Sequence, residues 1–306
     1  MKKFSLIAAI VIACTTLFAQ DDQGSTMDQP VRPPLETPWA KVTTGGFSEP
    51  IPYQPTRESD VAYFITIWRT IDLREKINHP LYFPTDVKGT WRSLGQLIFD
   101  AIDIKNPDNP NALPVYNSEF CNHYMSREEI ITAVSNTQII EDLNEWGEAI
   151  GTKEVFVEYT AKEIYSYRLK EIWFFDKQRS VLDVRILEIE PMLEVERAST
   201  GQATEEEGDD YVEAIRIPKR IGYIMYDELR PYLAQQEMFN MKNNAQRLSL
   251  DDALTFKRQF VSFIYAEDNV YGRWINEYIE NPRDQRLESE RITNEIRVFE
   301  HDLWEF

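Results

Sequence analysis

The sequence predicts an α+β fold, with a mixed or antiparallel sheet over about residues 153–226 covered by helices from both ends of the chain. Three observations predict it. Lys170 to Pro191 carries two β-branched and aromatic runs separated by the polar break Asp176 to Ser180, which is a hairpin pattern. Before residue 150 and after residue 227 the apolar residues recur at helical spacing, whereas between them the period is that of strands. In the first run of the hairpin Ile172 and Phe174 point to one face while Trp173 and Phe175 point to the other, so both faces need cover.

The chain begins with an export signal. Lys2 and Lys3 precede an apolar run that ends in Leu17-Phe18-Ala19, the order of a secretory signal peptide over residues 1–19 with cleavage after Ala19. Val11-Ile12-Ala13-Cys14 offers a loose lipobox as a second option, with Cys14 lipidated. Removing Lys2 and Lys3 from the 33 basic residues leaves 31 against 52 acidic ones, a net charge of −21. Such a field repels nucleic acid and anionic lipid, so neither is an expected partner. Cleavage after Ala19 leaves Cys121 alone, either as a buried thiol or in a bridge between chains.

Residues 20–55 read as an extended arm. Pro30, Pro33, Pro34, Pro38, Pro50, Pro52 and Pro55 fall within it, together with Trp39, Phe47 and Tyr53. Aromatics on a polyproline-like segment suit docking on a neighbouring subunit, against the plainer reading of a spacer.

From residue 56 to 306 one α+β domain is expected, with a helical half at 56–150. Val61, Phe64, Ile65, Trp68 and Ile71 form one apolar stripe, which predicts a helix from about Thr56 or Ser59 to Asn78, ended by His79-Pro80. Trp91 to Ile102 is a second helix with Leu94, Leu97, Ile98 and Ala101 inward. Ser126 with Glu129 makes a capping box for a third, burying Ile130 and Val134 and continuing past Ile139. Lys153-Glu154-Val155-Phe156, Lys162-Glu163-Ile164-Tyr165 and Lys170-Glu171-Ile172-Trp173 echo one another as three successive strands. Thr200 to Asp210 is an acidic loop without the ligand spacing of a calcium site. Tyr211 to Tyr226 returns as a strand with Ile215, Ile217, Ile221, Tyr223 and Met225 inward. Beyond it lie a helix from Asp227, a helix from Leu250 to Tyr265 capped by Ser249, a short one around Trp274 and Ile275, and a charged helix after Pro282. That last helix has Leu287, Ile292, Ile296, Phe299 and Leu303 on a thin stripe and ends near Trp304 and Phe306.

No phosphate loop, GxGxxG, GxSxG, HExxH or CxxC occurs in the sequence, and no cofactor or metal is expected. Cys121 and His123 alone have metal-like closeness, and two ligands do not make a zinc site. Acidic pairs are too many to locate one that works.

The run Trp68-Arg69-Thr70-Ile71-Asp72-Leu73-Arg74-Glu75-Lys76-Ile77-Asn78-His79-Pro80-Leu81-Tyr82-Phe83-Pro84 resembles the signature of the gliding-motility GldN family, called PorN in non-gliding relatives. Lys170 to Lys177 and the tail from Leu287 to Glu305 agree with it, and the resemblance covers roughly residues 50–306. It implies a non-enzymatic periplasmic component of the type IX secretion system of Bacteroidetes. Such a component lies at the inner face of the outer membrane, without a membrane span of its own. The implied partners are other copies in a ring, an outer-membrane lipoprotein of the GldK or PorK type, and an inner-membrane-anchored protein of the GldM or PorM type. Trp39, Phe47, Tyr53, Arg74, Trp304 and Phe306 are the expected partner contacts. The alternative is a periplasmic glycan-binding module or acidic hydrolase, which would need one convergent pocket with a perturbed carboxylate.

Overall fold

The computed structural model describes residues 49–88, 91–103, 109, 112–143, 149–197, 215–240 and 248–303, with backbone alone at 136–143, 149–157, 196–197 and 215–216. The signal segment, most of the arm, the acidic loop, Trp304 and Phe306 lie outside the described residues.

The first long element is a strand, not the expected helix. β1 spans Val61–Asp72. It is rich in Ile, Val and Thr, whose branched side chains suit a pleated surface. It lies between two neighbours, and its apolar residues fall at odd and even positions alike, which together mimic a helical stripe. Ile67 and Ile71 are buried, but Phe64, expected inward, is 62 % exposed. After β1, the turn through Asn78 leads into a short helix, α1, His79–Tyr82.

The next two helices match expectation. α2, Leu94–Ile102, buries Leu94, Leu97, Ile98 and Ala101 and opens with a capping box between Ser93 and Gln96. α3, Arg127–Val134, opens with the Ser126–Glu129 box and buries Ile130 and Val134. The chain then turns extended rather than continuing as helix. β2, Ser135–Leu143, and β3, Ala149–Glu158, pair with each other as a separate ladder.

β4, Ile164–Asp176, and β5, Val181–Arg197, form the expected hairpin across Asp176 to Ser180. The three Lys-Glu echoes are not successive strands, since the second straddles the start of β4 and the third lies inside it. β6, Ile215–Arg220, and β7, Ile224–Met225, pair with β5. Ile221 is buried as expected, whereas Ile217 and Met225 are exposed and Ile224 is buried instead.

α4, Tyr226–Gln235, packs inward through Leu229 and Leu233. Ser249 Oγ accepts from Asp252 N at 3.0 Å, but the helix it begins is a single π turn, Asp252–Phe256. Arg258 takes a left-handed φ of 46° and the chain leaves as β8, Phe263–Glu267, where helix was expected. α5, Ile275–Tyr278, and α6, Pro282–Asp302, complete the chain.

The main sheet is antiparallel throughout, in the order β6-β5-β4-β1-β8, with β7 beside β5. Residues directly opposed across an antiparallel pair share a face. One face carries Ile71, Tyr167, Leu169, Ile189 and Leu193 against α2, α3 and α4. Farther along, Ile67 and Ile264 meet Ile275, Ile292 and Ile296 of α5 and α6. Each fully buried Ile or Leu contributes about 1.5–3 kcal/mol. Between the two clusters sits Glu171, fully buried, which accepts from Arg258 Nη2 at 2.7 and 2.9 Å and from Trp173 Nε1 at 2.9 Å. The opposite face is charged, and it is there that the structure departs most from a plain core.

Candidate interaction surface

Two rows of charge cross the second face. Lys170 of β4 stands opposite Glu188 of β5, and Arg168 opposite Glu190. Lys170 Nζ lies 3.3 Å from Glu188 Oε1, and Glu190 lies 3.8 Å from Arg168 and 3.2 Å from Arg220. Alternation within each strand makes this geometry obligatory, since residues two apart share a face. Counting outward from the turn does not give these pairs, since Lys170 lies six residues before Asp176 and Glu188 seven after Val181; a bulge between Lys170 and Glu171 makes up the difference.

A loop closes over these rows. Tyr116 and Tyr223 exchange backbone hydrogen bonds at 2.8 and 2.9 Å, and Met125 N donates to Val115 O. The join is close because residue 222 is glycine at φ 153°. A Cβ there would stand 2.4 Å from Val115 Cγ1. So anchored, the loop delivers Glu119, whose Oε1 accepts from Trp68 Nε1 at 2.8 Å and lies 3.4 Å from Lys170 Nζ. Lys170 also lies over the rings of Trp68 and Phe120, at 5.8 and 5.4 Å.

What remains between Trp68, Glu119, Lys170, Tyr223, Tyr265 and Trp274 is a cavity of about 20 Å³. That is room for about one water. Burial raises both Glu188 and Glu190 above the usual carboxylate range, against the pull of Lys170 on the first and of Arg220 and Arg168 on the second. The perturbed carboxylates therefore serve a closed ionic floor. Exposed aromatic rings stand beside it: Trp274 in its wall is 40 % exposed and Phe120, under Lys170, 76 %, while Tyr124 on the same loop is 70 % exposed. Cys121, on the same loop, is half-buried, and burial followed by the charge of Glu188 pushes its thiol up to about 11. That is the setting of an unreactive thiol rather than of a bridging one.

The Trp68 to Pro84 run divides into a buried part and an exposed part. Asn78 is fully buried, donates Nδ2 to the carbonyls of Asp72 and Val261 at 2.7 and 2.8 Å, and accepts from Val261 N at 2.8 Å. Leu73 and Leu81 enter the core. Arg74 instead points outward and forks onto Asp72, with Nε to Oδ1 at 3.0 Å and Nη2 to Oδ2 at 2.9 Å. Arg74 borders an open groove of about 440 Å³ shared with His79, Tyr82 and Tyr165, and Ile77 nearby is 60 % exposed.

Tyr53 marks where the arm meets the domain. Its ring lies 4.2 Å from the Arg230 guanidinium carbon and 5.0 Å from that of Arg185. Arg230 donates to Ile51 O and holds Asp251 at 3.0 Å through two nitrogens; Arg185 donates to Gln54 O at 2.7 Å. The arm is thus strapped down at Ile51 to Gln54. Trp39, Phe47, Trp304 and Phe306 fall outside the described residues. α6, which leads to the last two, packs on its own domain through Ile292 and Ile296, and Phe299 meets Tyr63 at 4.5 Å.

Among the described residues no three His, Cys, Asp or Glu side chains are grouped to hold a metal, and no helix is long and apolar enough to cross a membrane. No match to the chain was found among curated proteins. The model of one family, gliding motility associated protein GldN, matches residues 56–305. That span takes in the signature turn, the charged face and α6 alike, so the chain belongs to the gliding-motility-associated GldN family, whose members serve gliding motility and type IX secretion.

Proposed function

We propose that the protein is a non-enzymatic structural subunit that assembles with an outer-membrane lipoprotein of the GldK or PorK type into a periplasmic ring. A GldM- or PorM-type protein anchored in the inner membrane contacts that ring. The subunit reaches the periplasm by its cleavable signal, with processing after Ala19. The observation that carries this reading is the set of exposed aromatic rings above a floor of paired opposite charges. Such a face suits contact with another protein, since interface centres favour aromatics while fixed charges set register. Arg74 beside its groove, Tyr53 at the arm root, Trp39 and Phe47 on the arm, and Trp304 and Phe306 on the tail are the proposed contacts.

Glu188 and Glu190, with their raised protonation, favour a second reading, a glycan-binding module or acidic hydrolase. A space of about 20 Å³ between them and the rim leaves that reading without room for a sugar.

The test is to tag the mature C-terminus, solubilise the envelope gently, size the tagged species and identify what co-purifies. A very large particle containing an outer-membrane lipoprotein is expected. A monomer of the chain's own mass with no lipoprotein would overturn the assignment.

A further inference from the structure

We propose that the groove between the β1–β8 side of the sheet and α6 binds a single carboxylate, held by Arg69 and Ser262; this goes beyond the ring-subunit reading and does not depend on it. The groove encloses about 400 Å³, the size of a small-molecule site. Arg69 and Ser262 line it from the sheet, and Arg286, Thr293 and Asn294 line it from α6.

Arg69 is a charge among apolar neighbours. It stands between Ile67 and Ile71 on the buried face of β1, opposite Leu169 of β4, and its side chain is only 16 % exposed. Nη2 donates to Ser262 O at 3.3 Å, while Nη1 lies 3.8 Å from Glu171, beyond hydrogen-bond distance. Among the described residues its Nε, shielded from solvent, has no hydrogen-bond partner. Glu171 is already held by Arg258 at 2.7 and 2.9 Å, so one carboxylate serves two guanidiniums and a positive charge is left over. Burial lowers the pKa of Arg69, Glu171 opposes that, and Arg258 adds to it. A guanidinium does not shed its proton, so the surplus calls for an anion from outside.

The geometry selects the anion. Nε and Nη2 form one flat edge, and Nη2 has a second hydrogen to give, so the edge matches the two oxygens of a carboxylate. Ser262 Oγ, also buried and without a partner among the described residues, adds a hydroxyl donor on the residue that Arg69 already touches. The β1–β8 ladder shifts register between Trp68 and Arg69, and a bulge of that kind re-aims a side chain. Glu75 and Glu290 also line the groove, so a monoanion meets less repulsion there than a phosphate dianion. A small organic acid and the C-terminal end of a peptide both supply that group.

The full mature chain carries the test. It is titrated at constant ionic strength with acetate, with N-acetyl-alanyl-alanine, with the C-terminal amide of that dipeptide, and with inorganic phosphate. Calorimetry reads the affinity, and hydrogen exchange across Val261 to Phe263 and Arg286 to Asn294 reads the location. The dipeptide acid is expected to bind one equivalent and slow exchange in both segments, and the amide is expected not to bind. Acetate as tight as the dipeptide marks a small acid as the ligand, and a tighter dipeptide marks a peptide end; both uphold the site. Arg69→Gln should weaken binding about tenfold or more, and Ser262→Ala about fivefold. Ser262→Ala removes no hydrogen bond made by that hydroxyl among the described residues, so it should keep the parent melting temperature and read binding alone. Absence of saturable binding, equal binding of the amide, phosphate tighter than either carboxylate, or unchanged affinity in both variants overturns the proposal.

Discussion

Trp68 and Lys170 stand directly opposite each other across β1 and β4, and both are tied to Glu119 of the covering loop. One residue on a loop therefore holds an indole and an ammonium that lie far from it in sequence. Closing the charged face thus needs the sheet register and the loop anchor at Gly222 together, which joins folding to the shape of the contact surface.

The buried acids make stability depend on pH in a defined direction. Burial raises Glu188 and Glu190 above 4.5 in the folded chain. Their contribution is therefore full below about pH 4.5 and is lost as pH rises through the folded values. Glu188→Gln/Glu190→Gln should lose less stability than the parent between pH 4.5 and 7, whatever its absolute stability. Thermal melts of both proteins across that range decide it, and parallel profiles would refute the claim.

Glu171 is the most exacting polar position in the fold. It is fully buried and is the carboxylate partner of both Arg258 and Arg69, the latter at 3.8 Å. Glu171→Ala leaves two guanidiniums without their counter-charge and should cost about 3–5 kcal/mol in urea unfolding. Adding Arg258→Ala should recover part of that loss, because the pair is coupled. Strictly additive costs would show that the two do not act as a unit.

Cys121 should react slowly. With its thiol near 11, the thiolate population at pH 8 is roughly two orders of magnitude below that of an ordinary cysteine. Higher intrinsic nucleophilicity recovers part of this, leaving alkylation about 20-fold slower. Iodoacetamide labelling followed by intact mass measures it, and a rate equal to that of a free thiol would show the loop to be open. The same chemistry predicts no disulfide-linked dimer on a non-reducing gel.

The hairpin was legible because the polar break Asp176 to Ser180 is a turn signal between two β-branched runs; its charge rows were not, since a bulge between Lys170 and Glu171 sets their register. The capping boxes at Ser93 and Ser126 are equally local, and the one at Ser126 was read as such. β1 and β8 were misread for one reason: each carries apolar residues on both faces of the pleat, and so at every spacing. Ile71 and Ile264 fit a helical stripe as well as a pleat. Glu119 was invisible, since its role depends on Trp68 and Lys170, each 51 residues away. Arg74 was identified from family resemblance, and the structure adds that it is exposed and preset by Asp72.

Those last two facts separate folding from assembly within the signature. Asn78→Ala removes three buried hydrogen bonds to Asp72 and Val261 and should cost about 3 kcal/mol. Arg74→Ala removes a pair whose arginine is 69 % exposed, a change worth less than about 1 kcal/mol. On the ring-subunit reading, Arg74→Ala should keep the parent melting temperature yet shift the tagged protein from large particles toward smaller ones. Asn78→Ala should lower both together. If Arg74→Ala assembles like the parent, the exposed half of the signature contributes no contact, and the groove beside His79 and Tyr82 loses its proposed role.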